Sequence, residues 1–342
     1  MKPSPNLLVL TSAICALLAQ PVLAQITIPT VLVGNPGNAS DSTGYGAVNY
    51  AYSIATYEVT LTQYATFLNA VAKTDTYGLY HASMATDLNI AGITRSGVSG
   101  SYAYGVLGSG NRPVTYVSWF DAARFSNWLQ NGQPTGLQAA GTTETGSYTL
   151  NGALSGVGIA RNTDGHFVLP TEDEWYKASY FDPALNSGSG GYWAYPTRNN
   201  AIPNSRNGSL SDPNSGNLFR DDGIANGFNG GYAANNSVTA PAGNALTDAG
   251  AFTLAGSAYG TFDQGGNVWE WNEAVIASSR GIRGGSWSGS DTSLLSSTRS
   301  SFSPANQLSI AGFRIALVPE PSTVGLLAVG FAMLAWTRKR TV

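Results

Sequence analysis

Apolar positions fall into short runs of changing period. From Tyr52 to Val59 they alternate with polar ones, as in a strand with one buried face. Thr60 then opens a helix: Gln63 stands three residues on, as in a capping box, and Tyr64, Phe67, Leu68 and Val71 recur at helical spacing. Ser118 and Asp121 predict a second helix with Phe125, Trp128 and Leu129 on its apolar face and Asn131-Gly132 as its stop. Turn residues divide Gln133 to Gly165 into short alternating runs, which predicts a hairpin insertion. A short strand from His166 to Leu169 leads to Thr171, which caps a third helix with Glu174, and that helix must stop before Pro183. Three more strands are expected at Val268–Trp271, Ile282–Trp287 and Phe313–Leu317. Before these strands, Asn186 to Gly260 is mostly Gly, Asn, Ser and Ala with scattered aromatics. So long a stretch without period needs something to order it, and a bound ion is the usual means. Few helices, many short strands and no internal repeat predict one α+β domain over 51–317, after a Gly/Asn-rich lead-in over 25–50.

Both ends of the chain read as addresses. Residues 1–24 have the form of a secretory signal, with Lys2, an apolar run from Leu7 to Ala19, and Val22-Leu23-Ala24 before Gln25. The run falls short of the ~20 apolar residues of a spanning helix. The sole cysteine, Cys15, lies inside it and leaves with it. The exported chain is therefore expected to have no disulfide, no thiolate metal site and no cysteine nucleophile. At the other end, residues 318–342 run through Val318-Pro319-Glu320-Pro321-Ser322-Thr323, an apolar stretch from Val324 to Trp336, and Arg338-Lys339-Arg340. This three-part pattern resembles the PEP-CTERM sorting signal of Gram-negative bacteria. The resemblance implies an exosortase-type processing enzyme as partner and a short transmembrane helix as transient inner-membrane anchor. It also implies delivery to the cell envelope, outer surface or extracellular matrix, with the membrane touched only through the tail.

Composition narrows the class. Charged residues make up 11% of the chain, under half the usual ~25%. Apolar content of 43% suffices for a core and argues against disorder. A net charge of −3 leaves no electrostatic footprint for nucleic acid. Without Lys2, Glu320, Arg338, Lys339 and Arg340, the body carries 13 basic and 19 acidic residues, a net −6.

Six ordered segments carry a second resemblance. They are Tyr57-Glu58-Val59-Thr60 with Tyr64 and Phe67-Leu68-Asn69; Arg112-Pro113-Val114 with Val117-Ser118-Trp119 and Ala122; Leu169-Pro170-Thr171-Glu172 with Glu174-Trp175; Gly266-Asn267-Val268-Trp269-Glu270-Trp271; Arg283-Gly284-Gly285-Ser286-Trp287; and Gly312-Phe313-Arg314. Together they resemble the sulfatase-modifying-factor, or formylglycine-generating-enzyme, domain from about Ala51 to Leu317. The resemblance implies a fold related to C-type lectins, with low regular secondary structure, small antiparallel sheets and structural calcium.

Founding members of that family oxidise a sulfatase cysteine with a copper-bound cysteine pair. Carried over by motif, the copper cysteines fall on Gly289 and Leu294, the neighbouring His and Arg on Ser290 and Leu295, and a substrate-contacting Asn on Ile310; only Ser286 survives. Cu(I) wants soft thiolates, which Gly and Leu cannot supply. No copper and no formylglycine generation are expected of this degenerate cleft. Nor does the mature chain, with only His81 and His166, have the imidazoles of the iron-binding branches.

Calcium does carry over. Asp263 and Glu270 bracket the Gly265-Gly266 turn, where Gly266 and Val268 can offer carbonyls, a hard-oxygen set suited to Ca²⁺; the family binds calcium at these four positions. The alternative is a hydrogen-bonded turn capped by Asp263. A second family site would use Asn217 and Leu218 with partners near Asn229 to Tyr232, where the expected Asp is missing. Glu172-Asp173-Glu174 reads mainly as complement to a helix dipole. Trp269, Trp271 and Trp287 read as core rather than a sugar-stacking platform. Arg283 and Arg314 are expected in ion pairs with acids such as Glu58 or Glu270. Ser286 has no evident base for a hydrolase triad. The leading expectation is an exported, non-catalytic binding or structural module on a calcium-stabilised scaffold, meeting exopolysaccharide or another envelope protein. The alternatives are an enzyme with altered chemistry in the same cleft, and a maturation factor for another exported protein.

Overall fold

A computed structural model describes residues 25–206 and 212–319. The secretory signal and the apolar part of the sorting tail lie outside the described residues. No helix among the described residues is long and apolar enough to cross a membrane.

All three predicted helices form, and each starts with its capping box. In α1 (Leu61–Val71) the Thr60 side chain accepts from the Gln63 N–H, while the Gln63 side chain takes the Thr60 N–H. Ser118 with Asp121 does the same for α2 (Trp119–Gln130), and Thr171 with Glu174 for α3 (Glu172–Tyr180). Each reciprocal cap satisfies two backbone donors that a helix start leaves free. The apolar faces of α1 and α2 meet in a ring cluster of Tyr64, Phe67, Phe125, Trp128 and Phe313, with centroids 5.3–6.5 Å apart. Every residue of α2 from Trp119 to Leu129 is buried, so this helix is the axis of the core.

Two four-stranded sheets flank that core. The first contains β1 (Thr30–Val33), β2 (Tyr52–Ala55), β3 (Phe167–Val168) and β8 (Ala316–Leu317), in the order β1-β2-β8-β3, antiparallel throughout. The second contains β4 (Trp269–Ile276), β5 (Ser279–Arg283), β6 (Ser300–Phe302) and β7 (Ala311–Gly312), in the order β6-β5-β4-β7, with β7 parallel to β4. Of the segment predicted as a single strand from Phe313 to Leu317 only Ala316–Leu317 pairs, as β8; Phe313, Arg314 and Ile315 are buried and join β7 in one sheet to β8 in the other.

Other boundaries differ from the sequence reading for identifiable reasons. The lead-in is part of the fold, since Thr30–Val33 pairs along the whole of β2. That strand ends at Ala55, after which Val59 bonds to Phe313 and Val114 instead of a sheet neighbour. β5 ends at Arg283 because Gly284 takes φ 101°. A side chain there would put its Cβ 2.7 Å from the Gln264 carbonyl oxygen. The expected hairpin within Gln133–Gly165 reduces to one bridge, Tyr148 to Arg161. Side chains replace the ladder: Asn127 donates to the carbonyls of Thr143 and Tyr148 and accepts from the Tyr148 N–H, while Arg124 grips Glu144 at 2.7 Å. In the Asn/Gly-rich stretch, Asn204–Ser205 pairs with Ser215–Gly216 and Phe219–Asp221 with Gly230–Tyr232. Asn229 pins the first pair by accepting from the Ser205 N–H and donating to Asn204.

Asp121, at the start of α2, gives a pH prediction. Burial pushes its carboxyl up to about 6, against the donors Ser118 and Gln307. A carboxyl raised on folding holds its extra proton between about pH 4 and 6, so its stability contribution is present at low pH and is lost as pH rises through that window. The stability difference between wild type and Asp121→Asn should therefore shift against wild type by about 2 kcal/mol from pH 4 to pH 7. Urea unfolding at several pH values measures it, and a flat difference would refute it.

Candidate functional site: a buried carboxylate cluster

The parallel pairing of β4 with β7 sets Glu270 beside Gly312, two residues before Arg314. Both charged side chains are wholly buried. Arg314 grips Glu270 with both prongs, Nε to Oε2 at 2.5 Å and Nη2 to Oε1 at 2.7 Å, and Trp175 Nε1 adds a bond of 2.8 Å to Oε2. The guanidinium also donates to the carbonyls of Ala55 and Phe262.

Two further buried acids share this one cation. Glu58 takes Asn267 Nδ2 on Oε1 at 3.2 Å, while its Oε2 has no partner. Asp263 sits in the left-handed region at φ 58° and accepts the Gly250 N–H. Burial raises the Glu58 carboxyl strongly, with repulsion from Asp263 next in size. Burial likewise lifts Asp263 to about 6. Asn267 is the hub: its Oδ1 accepts from Asn217 Nδ2 and from Thr247, leaving Asn217 Oδ1 without a donor. Acceptors outnumber donors around the Gly265-Gly266 turn.

This surplus is the test of whether a hard cation fits. Asp263, the carbonyls of Gly266 and Val268, and Glu270 supply oxygen only, as calcium requires. Neither carbonyl receives a hydrogen bond from the described residues. Among the described residues no three acidic, imidazole or thiol side chains converge as a metal cage, so carbonyl oxygens would have to complete the shell. Glu270 would have to share its oxygens with Arg314. The set fits a cation on charge and donor type. At the second expected position the Leu218 carbonyl accepts from Ser205 Oγ at 2.8 Å and from the Ala233 N–H, and Gly230 lies opposite Asp221 across the ladder.

The cleft positions other than Ile310 lie on the loop after β5. Ser286 is buried, and among the described residues its hydroxyl meets only Ser288 Oγ, at 3.4 Å. Leu294 is buried against Tyr195 and Leu218 with Leu295 packed alongside, and its carbonyl accepts from Tyr180. Gly289 caps the turn through its N–H to the Ser286 carbonyl. Ser290 bonds Thr292 at the surface. Ile310 packs with Trp287 and Val268. The two histidines lie elsewhere: His81 stacks on Tyr116 at 5.0 Å, and His166 bonds Val318 at 2.5 Å.

Of the arginines, Arg314 pairs with Glu270 as expected, whereas Arg283 pairs with Glu172, which also holds Arg299. Glu174 is likewise bridged, by Arg161, which also reaches Glu273. The acidic start of α3 is therefore a pair of ion-pair anchors as well as dipole complement. Trp271 and Trp287 are core residues. Asn267 was missed as the hub, although it stands inside the Gly266-Asn267-Val268 motif. Of the two acids expected as partners for the arginines, Glu270 takes Arg314, while Glu58 is bonded by Asn267.

Residues 317–340 match the PEP-CTERM protein-sorting motif. The chain is thus an exported protein whose tail calls for an exosortase-type enzyme. No curated protein matches the chain. Similar solved structures include Treponema denticola variable protein 1, at 18% identity and TM-score 0.44 over 85% of this chain and 95% of that one. CarF is 20% identical with TM-score 0.45 over 86% and 99%, and PvdO from Pseudomonas aeruginosa is 15% identical with TM-score 0.40 over 85% and 92%. Residues 46–318 match the sulfatase-modifying factor enzyme 1-like domain, and the chain belongs to that family.

Proposed function

We propose that this protein is a non-catalytic binding or structural module, exported to the cell envelope or its matrix on a calcium-stabilised scaffold. The observation that carries the proposal is Leu294, a buried aliphatic side chain where the family chemistry needs a copper-bound thiolate, with Gly289 at the other thiolate position. A buried leucine packed on Tyr195 and Leu218 stabilises the loop and leaves no ligand there for a soft metal. Ser286, with only another serine hydroxyl beside it, lacks a base to activate it.

Calcium would be held by Asp263, the carbonyls of Gly266 and Val268, and Glu270. It would supply positive charge against the surplus of buried carboxylate and acceptor oxygens, a structural rather than chemical service. The stretch from residue 186 to 260, whose ladders are two or three residues long, packs on this turn through Asn217 and would form part of the displayed face.

Metal content and thermal unfolding of the purified mature protein test the calcium reading. Near-stoichiometric calcium should co-purify. At calcium about 100-fold above its dissociation constant the stabilisation is about 2.7 kcal/mol, so chelation should lower the midpoint by on the order of 5–10 °C. Asp263→Asn removes the charge while keeping a residue that tolerates positive φ, and should abolish the response. Copper or iron in place of calcium would overturn the reading. A second assay offers copper-loaded protein a peptide with a sulfatase-type cysteine. No formylglycine is expected by mass spectrometry, and conversion would show that another residue had taken over the oxidation.

A further inference from the structure

A cavity of about 410 Å³ lies where the lead-in passes the start of α1. Its walls are the lead-in from Thr27 to Pro29, the bend from Tyr57 to Thr60, the first turn of α1, and Asn111 with Ala249. None of the cleft positions around Ser286 and Leu294 belongs to it. The volume falls in the range of small-molecule pockets, ~300–1,000 Å³.

The walls do not suit an anion. No Lys, Arg or His is among the lining residues. The N–H groups that open α1 are already spent, Leu61 on the Arg112 carbonyl, Thr62 on the Gly110 carbonyl and Gln63 on the Thr60 hydroxyl, so this helix start has no donor left for a negative group. The local charge is negative instead. Glu58, 2% exposed, belongs to the wall, and its Oε2 has no partner. Directly after Ala249, Gly250 donates its N–H to a second buried acid, Asp263. Around Glu58 the lining is amphipathic. Ile28, Pro29 and Val59 are apolar, whereas Thr62 and Asn111 are bonded through their backbones, leaving a hydroxyl and an amide unbonded among the described residues. The Tyr57 ring is fixed by Phe262, 5.7 Å away, and by Gly250, where a Cβ would stand 2.6 Å from the ring.

We infer that this cavity binds a small hydroxylated amine, an amino sugar whose nitrogen is not acetylated. The inference rests on the proposed binding role and names a ligand class for it. The ammonium would pair with Glu58 beside the Tyr57 ring, where it replaces the cation that this acid lacks. Hydroxyls would meet Thr62 and Asn111, and the C–H face of the sugar would lie on Ile28 and Val59. An acidic sugar would bring a second negative charge to Glu58, and a phosphate would find no donor. A wholly apolar ligand would leave the free hydroxyl, amide and carboxyl of the wall desolvated and unpaired.

Calorimetric titration of the exported protein, with calcium held constant, tests this with the glucosamine disaccharide, its N-acetylated form and glucuronate. A single site per chain should take the free amine. The N-acetylated form should bind roughly tenfold more weakly, for want of one hydrogen bond between charged groups, and glucuronate not measurably. An N-acetylated form that binds as tightly, binding of glucuronate, or saturation by none of the three overturns the inference. Glu58→Gln should erase the preference for the free amine, and a folded variant that keeps it removes Glu58 from the site. Should that variant not fold, Ala249→Leu, which fills the cavity from a half-buried loop position, should abolish binding of every sugar; a folded Leu variant that still binds places the site elsewhere. Failure of these titrations leaves the exported, non-catalytic reading to its own tests. Release of a cleaved or oxidised sugar would instead sink that reading and leave the cavity as the site.

Discussion

Arg314→Leu is expected to lower the unfolding free energy by about 3–5 kcal/mol, the range for removing one partner of a buried ion pair. In the calcium-free protein, loss of the guanidinium strands Glu270 with no counter-charge, beside Glu58 and Asp263, and frees the carbonyls of Ala55 and Phe262. The double substitution Glu270→Gln with Arg314→Leu should recover part of the loss, because the uncompensated charge is gone while the volume is kept. Urea unfolding of the two single variants and the double closes a mutant cycle. A loss under about 1 kcal/mol for Arg314→Leu would place the pair in the weak class of solvent-exposed bridges and contradict its burial.

Phe125→Ala should cost about 3–5 kcal/mol by a different mechanism, the loss of buried area together with the cavity left behind. Phe125 touches the rings of Tyr64, Phe67, Trp128 and Phe313, which belong to α1, α2 and the segment crossing between the sheets. No single neighbour can move into the gap without leaving another contact. Phe125→Leu should cost clearly less, since it keeps most of the volume. Equal losses for Ala and Leu would mean that ring geometry rather than volume governs the site.

The helices were readable because each carries its start signal locally. Thr60, Ser118 and Thr171 cap as their sequence spacing implies, and Tyr64, Phe67, Phe125 and Trp128 face the core at the period that predicted them. Strand limits were less readable, since they depend on partners far along the chain. Nothing near Phe313 says that its flanks serve different sheets, and Gly284 stops β5 only because the Gln264 carbonyl lies close by. Motif residues led correctly to the pairing of Arg314 with Glu270. They did not reveal that Glu172 would take Arg283, because that contact joins residues 111 positions apart. The unpaired oxygen of Glu58 was beyond sequence reasoning altogether. An acid is seen to lack a donor only when all its neighbours are in place.

The sheet order β1-β2-β8-β3 also bears on the timing of export. β8 is inserted between strands that precede it by hundreds of positions in one case and well over a hundred in the other, as the pairing of Ala316 with Ile54 and Val168 records. A chain that crosses a membrane N-terminus first delivers β1, β2 and β3 long before β8. Until residue 317 emerges, the sheet has a vacant central place and the ring cluster lacks Phe313. Pairings between such distant segments also form slowly, because loop closure precedes any gain from the contacts. The body is thereby kept from closing early, and the last strand needed to complete it arrives together with the signal that ends the journey.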